Sequence, residues 1–390
     1  MERNKRHSSD PVDVPAWAGI DLTAIRHNVR ALQQQTGPGV ETIAVVKANA
    51  YGHGAVPISR AALEAGAHSL AVARVDEGVA LREAGLTAPI MVMGYALPAQ
   101  ATTIVAHHMT PTVNTLALAE AVSRAAAGQP QPWPIYLKVD SGMGRFGLLP
   151  DEVVPFAREL LTYPNLQLAG LWTHFAVADE ADKTYTRRQI QRYQDAVAAL
   201  EAVEIAIPRR FVANSAALLD LPDVHLDAVR VGIALYGHYP SPEVSRAVSL
   251  RPALNLKARL GRVRVLPAGS DISYGRTYTT ARNMPVGLVP VGYGDGYPRA
   301  LSNLGQVLVG GRRVPIVGRV CMDQFMVDLT TVPQARQDDE VVLIGAQGGE
   351  RISAEEVASW LGTINYEVVT AISARVPRVY VGEDRAASQP

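Results

Sequence analysis

Between residues 42 and 236 the chain keeps repeating one pattern. A short apolar run stops in polar residues or glycine, and an alanine-rich amphipathic stretch usually follows. The runs are TIAVVK, SLAVARV, PIMVMG, MTPTV, PIYLKVD, LAGLWTHF, RRFVANS and DAVRVGI. AVPISRAALEAGA, VDEGVALREAG, TLALAEAVSRAAAG and TYTRRQIQRYQDAVAALEAV are the clearest of the stretches between them. A strand that is apolar along its whole length needs cover on both faces, as in a parallel sheet with crossover helices. Eight such runs predict an α/β fold built on a closed (β/α)8 barrel rather than an open sheet. MTPTV and RRFVANS are its weakest strands. Ahead of the barrel, IDLTAIRHNVRAL reads as a strand end running into a helix.

After about residue 245 the texture changes. KARLGRVRVLPAG, MPVGLVPVGYGDGYP, GQVLVGGRRVPIVGRV, QFMVDLT and EVVLIGA are strand-like, broken by Gly, Pro and Asp, with no helices between them. That pattern predicts a mainly antiparallel β-domain. One helix interrupts it, opened by the Ser353-x-x-Glu356 capping pattern. ARVPRVYVG is the final strand candidate. The expected layout is a disordered tail at 1–16, a barrel at 17–245, a β-domain at 246–382 and a tail at 383–390.

Lys+Arg and Asp+Glu are both 37, which gives no general attraction to nucleic acid or anionic membrane. One cysteine, Cys321, excludes an internal disulfide framework and fits a reducing compartment. No apolar run reaches bilayer length, and MERNKRHSSDPVDVP has no apolar signal core. A cytoplasmic enzyme is the expectation.

In a parallel barrel, side chains at the carboxyl ends of the strands converge on one face. The candidates there are Lys47, Lys138 with Asp140 and Arg145, His174, Asn214 with Ser215, and Arg230. They form a cationic, hydrogen-bonding basin. The chain has no phosphate-binding G-x-x-x-x-G-K-[ST] loop, no zinc-type spacing and no serine elbow. Taken alone, Lys47 could simply mark where a strand exits into water. Opposite cations able to hold a phosphate and a carboxylate, it suggests imine chemistry, because a desolvated lysine has a lowered pKa and attacks an aldehyde.

AVVKANAYGHG, KVDSGMGRFG, WTHFA, VRVGIALYG, SYGRTY, VGYGDGYPR, VGRVCMDQFMVD and NYEVVT occur in this order. From about Ala18 to Val381 the chain thereby resembles the bacterial alanine racemases, pyridoxal-phosphate enzymes with a barrel and a C-terminal β-domain. One departure is Val231, where the family usually carries proline. The resemblance implies interconversion of L-alanine and D-alanine, supplying D-alanine for peptidoglycan, with pyridoxal 5'-phosphate as cofactor.

It also implies roles. Lys47 would carry the cofactor and serve as the base toward D-alanine. Tyr274 would be the opposite base, taking the proton from L-alanine. A tyrosine of ordinary pKa is a poor base at neutral pH, so that role requires neighbours that favour the phenolate. Tyr51, Ser215, Gly232, Ile233 and Tyr366 would hold the phosphate. Arg230 would face the pyridine nitrogen; arginine only donates, so that nitrogen would stay an unprotonated acceptor. His174 would orient the ring. Arg145 would contact the cofactor's phenolic oxygen and the substrate carboxylate, which Met322 would reach through its backbone amide. Tyr293 and Tyr366 would narrow the entrance. Some relatives carbamylate a lysine like Lys138. No metal, nucleic acid or membrane is implied. In the family, two chains pack head to tail, so each site of a homodimer would take Lys47 from one chain and Tyr274 and Met322 from the other. A racemase for serine or another small amino acid, a non-catalytic carrier of the cofactor and a barrel decarboxylase are the rival readings.

Overall fold

The computed structural model describes residues 13–382. Of the expected tails, positions 1–12 and 383–390 lie outside the described residues. Two compact units divide the chain. One holds residues 24–50 and 55–252; the other holds the described residues 13–23, 51–54 and 253–382.

The first strand, β1 (Ala16–Asp21), belongs to the second unit. Eight short strands follow it and build the first unit: β2 (Glu41–Val45), β3 (Ser69–Val72), β4 (Ile90–Val92), β5 (Met109–Pro111), β6 (Trp133–Lys138), β7 (Leu166–Trp172), β8 (Arg210–Phe211) and β9 (Ala228–Val231). They are the eight runs read from the sequence. All pair in parallel, in the orders β5-β4-β3-β2-β9 and β6-β7-β8. A parallel bridge from Thr112 to Tyr136 joins the two groups on one side. On the other side, Arg230 N donates to Ala213 O at 2.9 Å and Asp227 N to Arg210 O at 3.1 Å, which closes the barrel.

Every residue of β3, β4 and β9 is buried, which is why these runs are apolar without alternation. The helices Ala55–Glu64, Val75–Glu83, Leu116–Ala125 and Thr184–Glu201 lie where the amphipathic stretches predict them. Thr115 caps the third of these, accepting from Leu118 N through its hydroxyl at 3.3 Å.

In the second unit β1 lies between β10 (Leu254–Arg259), with which it is antiparallel, and the final strand Arg378–Val381, with which it is parallel. From β10 the sheet runs through Glu340–Gln347, Gln306–Val309, Arg312–Val317, Phe325–Asp328 and Met284–Val289 to Arg262–Leu266, antiparallel throughout. The expected helix is Ala354–Leu361, with Ser353 Oγ accepting from Glu356 N at 3.1 Å. A second helix, Asn365–Thr370, follows at once. Among the described residues, no helix is long and apolar enough to cross a membrane.

Candidate active site

In the barrel unit the predicted cations gather at the carboxyl ends of the strands. Lys47 stands two residues beyond β2, and its amine pKa is lowered, first by burial and then by the charge of Arg145. Glu77 opposes that shift. Immediately after Lys47 the backbone turns left-handed: φ is +52°, +53°, +54° and +52° at Ala48, Asn49, Ala50 and Tyr51. None is glycine, so each costs about 1–2 kcal/mol that surrounding bonds must offset. Two such bonds come from side chains. Asn49 Oδ1 accepts from Ala55 N at 2.8 Å, and Glu77 Oε1 accepts from Ala48 N at 2.5 Å.

Lys138 ends β6 and is only 2% exposed. Its amine lies 5.0 Å from the ring centre of Trp172 and 5.4 Å from that of Phe146. Burial, Arg145 and Arg230 push its pKa down to about 8, with Asp140 pulling the other way. Arg145 itself is held by Asp140. That carboxylate accepts from the backbone N–H of Gly142, Met143 and Gly144 through Oδ1 and from Arg145 N through Oδ2, at 2.9–3.0 Å. Burial works against the Asp140 charge, but the four N–H groups outweigh it and hold the carboxyl below its ordinary value.

Arg230, in the middle of β9, is 2% exposed. Its guanidinium donates to the carbonyls of Phe211 (3.2 Å), Thr173 (2.7 Å) and Val212 (3.2 Å) and meets His174 Nδ1 at 3.2 Å. It stacks 4.7 Å from the Trp172 ring centre, a contact worth up to about 2 kcal/mol when desolvated. Burial pushes its pKa down to about 9, which still leaves it charged at neutral pH. Because arginine only donates, Nδ1 of His174 must accept and Nε2 carries the hydrogen. Burial and then the charges of Arg230, Lys138, Arg145 and Lys47 hold His174 well below its ordinary pKa. Arg230, Lys138, Arg145 and Lys47 thus all act on His174, and the five groups share one basin.

A neutral His174 has a consequence for stability. The unfolded chain binds a proton at this position as pH drops through 6.5, while the folded chain does not. Stability therefore falls with acidification below that value. His174→Gln removes this contribution, so its melting temperature drops less than that of the wild type between neutral pH and about pH 5. Parallel thermal melts at several pH values check this.

Ser215 and the turn 232–236 form a compact donor group. Ser215 Oγ accepts from Gly232 N at 2.9 Å and Ala234 N at 3.4 Å, which leaves its hydroxyl hydrogen to donate outward. Ile233 opens the 3-10 turn Ile233–Tyr236, and Tyr236 Oη donates to Val45 O at 2.8 Å, tying the turn to the strand that leads to Lys47. Asn214 caps the following helix, Ser215–Asp220, by accepting from Ala217 N at 3.0 Å.

The second unit carries the remaining candidates. Tyr51 and Tyr366 face each other with ring centres 6.1 Å apart. Burial raises the Tyr51 phenol well above its ordinary pKa, which keeps it a neutral donor. Arg378 holds residues 51–54 against the end of the chain, donating to Gly52 O, Ile372 O, Ser373 O and Val376 O. Tyr274 lies on a turn whose neighbours are strained: φ is +66° at Ser273 and +50° at Arg276. Its side chain is 72% exposed in the single chain, and Met322 is 52% exposed. Ser273 Oγ is 2.8 Å from Arg319 O and 3.3 Å from Cys321 Sγ, next to Met322. Tyr293 N donates to Cys321 O and Gly294 N to Met322 O, joining the GYGDGY and CMD segments. Cys321 is half-buried.

The donors of the barrel unit suit a phosphorylated aldehyde with a ring nitrogen. Lys47 offers an amine of lowered pKa, Arg230 a fixed donor fork, and Ser215 with its turn a set of small donors. No group of three or more His, Cys, Asp and Glu among the described residues is arranged to hold a metal ion. Sequence reasoning missed Glu77, whose only local signal is its place three residues after Arg74 at a helix start.

Comparison with known proteins agrees with this chemistry. Residues 20–240 match the family described as alanine racemase, N-terminal domain, and residues 253–380 match alanine racemase, C-terminal domain. An alanine racemase of Desulforamulus reducens is 49% identical over 370 residues, covering 94% of this chain and 99% of the relative. One from Symbiobacterium thermophilum is 49% identical over 369 residues, covering 95% and 98%. Among solved structures, the Bacillus anthracis alanine racemase with bound L-Ala-P superposes with a TM-score of 0.91 at 40% identity, covering 96% of this chain and 97% of that one. The Streptomyces coelicolor A3(2) alanine racemase gives 0.89 at 42% identity, covering 95% and 98%. With both halves matched along nearly their whole lengths, and a lysine, an arginine and a serine cup at the strand ends, the chain belongs to the alanine racemase family.

Proposed function

We propose that this chain interconverts L-alanine and D-alanine with pyridoxal 5'-phosphate, using Lys47 and Tyr274 as bases on opposite faces of the substrate. The observation that carries the reading is the surroundings of Arg230. Its hydrogen-bond partners are three carbonyls and His174, with no carboxylate among them. It can therefore hold an unprotonated ring nitrogen by donation alone. The cofactor, once bound, supplies the electron-withdrawing group that acidifies the alanine Cα–H.

Lys47 holds the cofactor and exchanges a proton at Cα with D-alanine; burial lowers its pKa, which keeps more of the free amine available as a base. Tyr274 exchanges the proton on the L face. Ser215, the Gly232–Ile233 turn, Tyr51 and Tyr366 bind the phosphate. His174, neutral at Nδ1, orients the ring. Arg145 and the Met322 backbone amide bind the substrate carboxylate, and Tyr293 with Tyr366 narrows the entrance. The exposure of Tyr274 and Met322 supports a homodimer in which each site draws them from the partner chain. The cytoplasm is the proposed location and D-alanine for peptidoglycan the proposed product.

Racemisation measured across a panel of L-amino acids tests the reading. Alanine is turned over fastest, and borohydride reduction of the holoenzyme fixes the pyridoxyl group on Lys47. Serine turned over faster, or the label found on another lysine, overturns it.

A buried lysine whose pKa is about 8 carries a sizeable neutral fraction near neutral pH, so its amine can add to carbon dioxide and give up one N–H proton to solvent. Carbamylation would turn Lys138 into an anion beside Arg145 and relieve the repulsion between two cations. The expected result is a carbamate carbon signal on enzyme equilibrated with 13C-bicarbonate, absent in Lys138→Met. An unmodified amine in well-resolved density, with an anion beside it, rejects the carbamate.

A further inference from the structure

The carboxylate of Glu77 joins two strand ends. Through Oε2 it accepts from Ala73 N at 2.8 Å and Arg74 N at 3.0 Å, the residues leading from β3 into the helix Val75–Glu83. Through Oε1 it accepts from Ala48 N at 2.5 Å, the peptide directly after Lys47. The strands themselves are already in register, with Val45 opposite Ala71 and Val46 N donating to Ala71 O at 2.9 Å. Beyond that point β2 does not continue, and the chain enters the left-handed turn. One charged side chain therefore restrains a strained backbone at the residue next to Lys47, where small rotations swing the long amine most. The bonds are ionic on the acceptor side and so stronger than neutral ones.

We propose that Glu77 is a positioning residue for Lys47: its carboxylate ties the left-handed turn after Lys47 to the carboxyl end of β3 and so aims the amine at Cα. This rests on the reading of Lys47 as the base for D-alanine. Arg145 also acts on that amine and lowers its pKa, while Glu77 raises it.

The experiment compares wild-type holoenzyme with Glu77→Gln, Glu77→Ala and Tyr274→Phe. Glutamine keeps the shape and one acceptor, but sets an NH2 group against one of the N–H donors. Expected losses in kcat/KM are about tenfold for Glu77→Gln and on the order of 100-fold for Glu77→Ala. Simple destabilisation would lower the melting temperature without changing which proton transfer limits the rate. A misaimed Lys47 makes its own transfer limiting. The primary isotope effect with [2-2H]-D-alanine then rises, while that with [2-2H]-L-alanine falls toward one. Tyr274→Phe gives the mirror pattern. In addition, removing the negative charge in Glu77→Gln shifts the pH titration of the bound cofactor's absorbance toward lower pH. Folded Glu77→Gln holoenzyme with kcat/KM within twofold of wild type, unmoved isotope effects and an unmoved titration overturns the proposal. If Tyr274→Phe fails to mirror the pattern, the two-base reading falls, and the absorbance titration alone decides the role of Glu77.

Discussion

Mixing two severely impaired variants, Lys47→Ala and Tyr274→Phe, under conditions that exchange subunits restores activity. Each variant alone loses one of the two proposed bases. A positioned acid or base contributes ~10²–10⁴-fold, and Lys47→Ala also removes the proposed attachment point of the cofactor. In a mixed dimer with shared sites, one site carries both lesions. The other pairs intact Lys47 from the tyrosine variant with intact Tyr274 from the lysine variant. Random exchange of equal amounts makes half the dimers mixed, with one good site in two. The expected recovery is roughly a quarter of wild-type activity, following from two-fold symmetry. Exchange is confirmed separately by mass spectrometry of a tagged chain. Confirmed exchange without recovery means that both bases come from one chain. The exposure of Tyr274 at 72% and Met322 at 52% is the structural reason to expect recovery.

Gly237→Ala collapses the stability of the barrel unit. Gly237 ends the 3-10 turn that begins at Ile233 and has φ +88°, a conformation that alanine reaches only with strain. Space makes matters worse. A Cβ there would sit 1.9 Å from Arg251 O, 2.1 Å from Arg251 C and 2.4 Å from Pro252 N. These are backbone atoms, and the Arg251 carbonyl is already held by Asn28 Nδ2 at 2.9 Å. They cannot swing aside as a side-chain tip could. Strain and displacement together cost about 4 kcal/mol or more, at the upper end for single substitutions. Thermal or chemical denaturation measures it. A loss under about 1 kcal/mol would mean that the 251–252 segment yields readily.

Much of this was legible in the sequence because the barrel strands are covered on both faces. β3, β4 and β9 have no exposed face to alternate, so they appear as plain apolar runs. The strand-end lysines, arginines and histidine could then be assigned to one face by topology alone. The left-handed turn was not legible: Ala48-Asn49-Ala50 has no glycine, and only asparagine hints at that conformation. The helix Asn365–Thr370 was hidden as well, since it is six residues long and its N-cap, Ile364, has no capping side chain. The place of β1 depends on partners more than 200 residues away, which no local pattern records. Glu77 was missed because one glutamate at a helix start is ordinary. Its importance lies in the third N–H, which only the fold brings to it.

The position of β1 also sets a waiting time during synthesis. Its apolar AWAGID leaves the ribosome well before both its hydrogen-bonded neighbours, 254–259 and 378–381, which are made more than 200 and more than 350 residues later. At ordinary elongation rates the interval to the last partner is roughly 20 to 70 s. Through that interval β1 is an unpaired edge open to the wrong strand. A nascent chain stalled before residue 253 should therefore be cut by protease at 16–21 or engaged there by a chaperone, and the full-length chain should not. The enzyme's yield in a cell is therefore expected to fall when translation slows or chaperones are scarce.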